Sequence, residues 1–189
     1  MTVSVLTVPG LYNSGPDHWQ SRWEVEFEGV RRVSQKNWHT PDVAEWTAAL
    51  DAEIERTGDD IVLAAHSLAC CMTVKWAAQA IRRIRGALLV APTDTEGPAF
   101  PSGTHGFTPM PTTELPFPSI VVMGSADRFI SVERGTFLAK MWGSELVVLP
   151  GAGHLGSDND LGTWPYGIQL LSKLTGSGRL VRKPMHSRE

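Results

Sequence analysis

Short apolar runs alternate with stretches of helical periodicity along this chain. Val3 to Val8 is rich in β-branched residues and stops at Pro9-Gly10, which reads as a strand entering a turn. Gly29 to Val33 is a further strand candidate. Pro41 and Asp42 open a helix in which Val43, Trp46, Leu50 and Ile54 recur at helical spacing, and Gly58 closes it. Ile61 to Ala65 is apolar throughout, as a central parallel strand buried on both faces should be. Ser67 follows at once. Leu68 to Ile81 reads as a helix that is apolar nearly all round, interrupted by Lys75 and Gln79, and therefore well buried.

The alternation continues downstream. Gly86 to Val90, Ile120 to Met123 and Leu146 to Leu149 read as strands. Val132 to Met141 reads as a helix, and so does Pro165 to Leu174, with proline in its first turn. Pro92 to Pro118 holds seven of the thirteen prolines, so it is expected to be a long surface loop rather than an element. Strands alternating with helices mean an α/β fold with a mainly parallel sheet and right-handed crossovers. The expected organisation is one domain over residues 1–175, followed by a polar tail, 176–189, carrying Arg179, Arg182, Lys183 and Arg188. That tail is expected to be solvated or loosely packed.

Composition narrows the classes. A length of 189 residues suits one core, and 42% hydrophobic with 20% charged residues is ordinary for a globular protein. A net charge of −3 gives no reason to expect nucleic acid or an anionic membrane as partner. No apolar run approaches the ~20 residues of a membrane span. The N-terminus lacks the basic region and cleavage site of a signal peptide. The two cysteines, Cys70 and Cys71, are adjacent, a poor geometry for a disulfide on a helix. A reducing, cytoplasmic location is the expectation.

The candidate nucleophile is Ser67, in Ala65-His66-Ser67-Leu68-Ala69, between a buried strand and a helix. A serine on a sharp strand-to-helix turn is pushed out above the sheet. Glycine is usual at both outer positions of that pentapeptide; alanine stands at both here, so a crowded turn is expected. The backbone N–H of Leu68 would serve as one oxyanion donor, and that of Leu11, beside Gly10, as the second. His154 lies in a glycine-rich loop after a strand, placed to act as general base. Asp127 follows another strand and could accept its Nδ1–H, with Asp94 as the competing acid. Serine, acid, histidine is the chain order of α/β-hydrolases. Tyr12, His18 and Trp19 are candidate substrate contacts on the entry loop, although packing of that loop would also account for His18 and Trp19. The remaining histidines are too scattered to suggest a zinc site.

Several strings carry a family resemblance. They are Pro9-Gly10 with Asp17-His18-Trp19-Gln20, Ala65 to Cys70, and Leu115 to Val122. Asp127, Trp142-Gly143-Ser144, Ala152-Gly153-His154 and Gly162-Thr163-Trp164-Pro165 continue the pattern. On these the chain resembles the small serine hydrolases related to retinoblastoma-binding protein nine, from about Val8 to Leu171. That family has many bacterial members of unknown substrate. The resemblance implies a minimal α/β-hydrolase fold without a large cap domain, a triad at Ser67, Asp127 and His154, and small ester substrates. Ala69 replaces the glycine usual there in this family.

The expected function is therefore a carboxylic-ester hydrolase acting through an acyl-enzyme, with no cofactor and no metal. An amidase or peptidase would use the same three groups. An interaction protein with weak turnover is the alternative from another class, since fold does not fix function. The basic tail would be its candidate contact.

Overall fold

The computed structural model describes residues 3–80, 82–176, 178 and 180–184. Six strands form one all-parallel sheet: β1 (Ser4–Val8), β2 (Val30–Arg32), β3 (Ile61–His66), β4 (Gly86–Val90), β5 (Ser119–Gly124) and β6 (Glu145–Leu149). Their order is β2-β1-β3-β4-β5-β6. The helices are α1 (Trp19–Glu26), α2 (Val43–Thr57), α3 (Leu68–Ala77), α4 (Val132–Met141) and α5 (Pro165–Leu174). The chain leaves β1 toward β2 and returns on the other side as β3. This reversal makes a crevice at the carboxyl ends of β1 and β3, where open α/β sheets bind ligands.

The apolar strands are buried because helices cover both faces. Side chains alternate along β3: Leu63 and Ala65 belong to one core with Trp46, Leu50 and Trp142, while Val62 and Ala64 belong to the other with Trp19, Trp23 and Trp164. Helices α2, α3 and α4 close the first face; α1 and α5 close the second. Asp42 caps α2, its carboxylate accepting the N–H groups of Ala44 and Glu45.

Three expectations need correction. The segment around His18 and Trp19 is no loop: His18 is the N-cap of α1 and Trp19 its first residue. Helix α3 ends at Ala77 instead of running to Ile81, which lies outside the described residues. The tail is solvated at 182–184, as expected, but it is not loosely packed over its described part. Glu28 N–H donates to Val181 O, and Lys183 N–H to Glu26 O, at 2.8 Å each. Arg182 pairs with Glu26 at 2.9 Å. Arg179 and Arg188 fall outside the described residues. The Pro92–Pro118 segment does form a long loop, but Phe107, Met110, Leu115 and Phe117 anchor it in the core.

Candidate active site

The turn from β3 into α3 holds Ser67 at φ 58°, ψ −128°, a left-handed φ that disfavours any residue with a Cβ. Its flanks are not strained: neither Ala65 nor Ala69 has a positive φ, and both methyl groups are buried in the core. This is why alanine is tolerated where glycine was expected. The close approach is met elsewhere, at Gly10. A Cβ there would lie 2.8 Å from His66 O and 2.9 Å from Ser67 Cβ. Leu11 and Leu68 flank this contact. Among the described residues neither N–H has an acceptor, so both remain available to an anion.

Loops from the ends of β5 and β6 converge on the serine. His154 Nε2 lies 2.7 Å from Ser67 Oγ, and His154 Nδ1 lies 2.8 Å from Asp127 Oδ2. The Asp127 side chain is 0% exposed and also accepts the N–H of Phe129 at 2.9 Å. A carboxylate only accepts, so Nδ1 carries the proton. The neutral ring then offers a bare Nε2 to the hydroxyl of Ser67. The arrangement can take a proton from Ser67 and stabilise the imidazolium that results. Asp94, the competing acid, is turned elsewhere. It accepts from Arg134 Nε at 3.2 Å and from the N–H of Glu96.

The structure separates the three candidate substrate contacts. Tyr12 is 65% exposed and lines a cleft of about 530 Å³ with Leu11, His18 and Ser67. His18 is buried on the wall of that cleft. Its Nδ1 accepts the N–H of Gln20, and its Nε2 has no partner among the described residues. Burial, then the positive charge of Arg32 and the neighbouring His154, lower its pKa to about 4. Trp19 does not line the cleft. It is 1% exposed, lies beneath the cleft, and donates its indole N–H to Leu155 O at 3.1 Å. As the first residue of α1 it packs instead against Trp23 and Trp164.

Two polar neighbours of Ser67 and His154 carry no mark in the sequence. His66 Nε2 lies 2.9 Å from His154 O and must donate to it. Burial holds its pKa well below the usual histidine value. This ties the end of β3 to the backbone that carries His154. Thr93, after β4, places Oγ1 3.2 Å from Ser67 Oγ. His66 stands inside the pentapeptide already singled out. Thr93 carries no local signal beyond its place at a strand's carboxyl end. Among the described residues no cluster of histidine, cysteine and acidic side chains could hold a metal ion. No described helix is long and apolar enough to cross a membrane.

Comparison with known proteins places this chain in a family. The family model described as "Serine hydrolase" matches residues 5–173. A YdeN-like hydrolase from Pectobacterium atrosepticum is 27% identical, covers 93% of this chain and 91% of its own, and superposes with a TM-score of 0.82. The ydeN gene product of B. subtilis is 18% identical over 93% of this chain and 100% of its own, with a TM-score of 0.70. A monoacylglycerol lipase of Paleococcus ferrophilus shares the fold at 14% identity and a TM-score of 0.69, over 93% of this chain and 96% of its own. No curated protein matches the chain.

Proposed function

The chain belongs to the serine hydrolase family, and from that premise we propose that it is a carboxylic-ester hydrolase in which Ser67, His154 and Asp127 form the catalytic triad. The observation that carries this reading is the unbroken chain of contacts, 2.7 Å from Ser67 Oγ to His154 Nε2 and 2.8 Å from Nδ1 to Asp127. His154 takes the proton as Ser67 Oγ attacks the acyl carbon. The N–H groups of Leu11 and Leu68 receive the oxyanion, with the N-terminus of α3 behind Leu68. The imidazolium then protonates the departing alcohol, leaving an acyl group on Ser67. Water, activated by the same histidine, releases the acid. These groups need no metal and no organic cofactor.

The relation to the retinoblastoma-binding protein nine group and a domain spanning 1–175 belong to the same proposal. A reducing cytoplasm belongs to the proposal too: Cys70 and Cys71 are free and buried.

A fluorophosphonate probe tests the assignment. Labelling should fall on Ser67 and vanish in Ser67→Ala. Folded wild-type protein that takes up no label overturns the reading.

A further inference from the structure

The strand next to the nucleophile's own strand ends in a second strained turn. Ala91 follows β4 with φ 49° and no exposed surface. A non-glycine residue rarely adopts that conformation, and it persists only where the surroundings hold it. Here they do. Ala91 N–H donates to Val122 O at 2.7 Å. Pro92 has a fixed φ. The thiol of Cys71, on α3, donates to Thr93 O at 3.1 Å, and Asp94 N–H donates to Phe129 O at 3.0 Å. The backbone is therefore pinned on both sides of Thr93, and its side chain, on a residue only 2% exposed, is aimed at Ser67.

The direction of the contact follows from proton accounting. Asp127 fixes the proton of the neutral imidazole on Nδ1, so Nε2 accepts the hydroxyl proton of Ser67. Ser67 has no second proton to give. At 3.2 Å the remaining possibility is that Thr93 Oγ1–H donates to Ser67 Oγ. Resting on the triad reading above, we infer that Thr93 is a further catalytic residue, whose hydroxyl stabilises the charge that grows on Ser67 Oγ whenever its bond to the acyl carbon forms or breaks.

The balance is simple. In acylation the Ser67 O–H bond breaks, its proton moves to His154 Nε2 and the Oγ–C bond forms; the substrate's C–O bond then breaks as His154 passes that proton to the leaving alcohol. In deacylation water gives a proton to His154 and bonds to the acyl carbon, and His154 passes that proton to Oγ as the Oγ–C bond breaks. Thr93 keeps its own proton throughout. Its hydrogen bond strengthens as Oγ becomes more negative, so it favours the transition state over the resting serine. It acts on both half-reactions because Oγ is nucleophile in one and leaving group in the other. The N–H groups of Leu11 and Leu68 serve a different atom, the acyl oxygen.

Thr93→Val keeps the branched shape and removes the donor. It should lower kcat for p-nitrophenyl acetate by about 10–100-fold, the value of one hydrogen bond to a charged group. KM should change little, and the rate of fluorophosphonate labelling should fall in parallel. Thr93→Ser restores the hydroxyl and should recover most of the rate. Wild-type rates in Thr93→Val, or equal loss in Val and Ser, overturn the inference while leaving the triad standing. If Thr93→Val does not fold, as judged by circular dichroism, Ala replaces it, and equal rates in Thr93→Ala and Thr93→Ser are the overturning result. Wild-type protein that does not label removes the triad reading and this role with it.

Discussion

The loops after β4 and β5 start alike and end differently. Both strands are buried, parallel and adjacent, and each runs into a loop that carries an aspartate. Asp127 is wholly enclosed and meets an imidazole; Asp94, its side chain 18% exposed, meets a guanidinium. The difference lies in what crosses the end of each strand. Strand β6 lies beyond β5, and its outgoing loop folds back over the β5 terminus. Ser125 N–H donates to Leu149 O at 3.0 Å and Ala126 N–H to Ala152 O at 2.9 Å. That crossing carries His154 to Asp127. The loop after β4 instead meets the start of α4, where Arg134 takes both Asp94 and Glu96. Two aspartates of like local setting thus acquire unlike partners, and the sheet order decides which.

The sharpest way to break this contrast is to neutralise the enclosed carboxylate. Asp127→Asn should lower kcat by roughly 10⁴-fold, because an amide N–H facing Nδ1 favours the tautomer that presents a proton, not a lone pair, to Ser67. Ester hydrolysis at saturating substrate measures it. A rate near that of wild type would remove Asp127 from the triad.

The crossing itself can be attacked at Gly124. A Cβ there would lie 2.1 Å from Ala152 O and 2.2 Å from Gly153 O, both backbone atoms of the loop that bears His154. Gly124→Ala must push that loop away from β5. The expected cost is about 3 kcal/mol of stability, read from urea unfolding, in line with overpacking of a rigid site. Activity should fall as well, since His154 follows Gly153 directly. Unchanged stability would mean that the loop does not depend on its contact with β5.

Sequence patterns made the central strands legible because burial on both faces leaves an uninterrupted apolar run, as in β3 and β5. Helices α2, α4 and α5 were legible because polar residues separate their apolar positions. Helix α1 was not, for a physical reason. Its buried face contains Gln20 between Trp19 and Trp23, while Val25 on the outer side is 74% exposed. Gln20 is buried because its amide donates to Val8 O at 3.1 Å and Ala64 O at 2.8 Å, stitching β1 to β3 under the site. A polar residue with an inward task looks in sequence like a surface residue. The serine, aspartate and histidine were legible from their places after buried strands. The difference between Asp94 and Asp127 was not, since it depends on contacts between distant loops. Thr93 and His66 were not legible for the same reason: each contacts a residue distant in the chain, Ser67 and His154 respectively.

The smallest effect is expected at Asp94, and it is the control that gives the larger ones their meaning. Asp94→Asn removes half of a partly exposed ion pair, with Arg134 24% and Asp94 18% exposed at the side chain. The asparagine oxygen can still accept the N–H of Glu96, and Arg134 keeps Glu96 as a partner. Stability should therefore fall by no more than about 1 kcal/mol. The rate of ester hydrolysis should stay close to that of wild type. Asp94 is next to Thr93 in sequence, but the contacts that pin Thr93 use the Cys71 thiol and the Asp94 backbone N–H, not the Asp94 carboxylate. A large loss of kcat in Asp94→Asn with Asp127→Asn near wild type would transfer the acid's role to the β4 loop. The sheet order would then no longer explain which carboxylate serves the histidine.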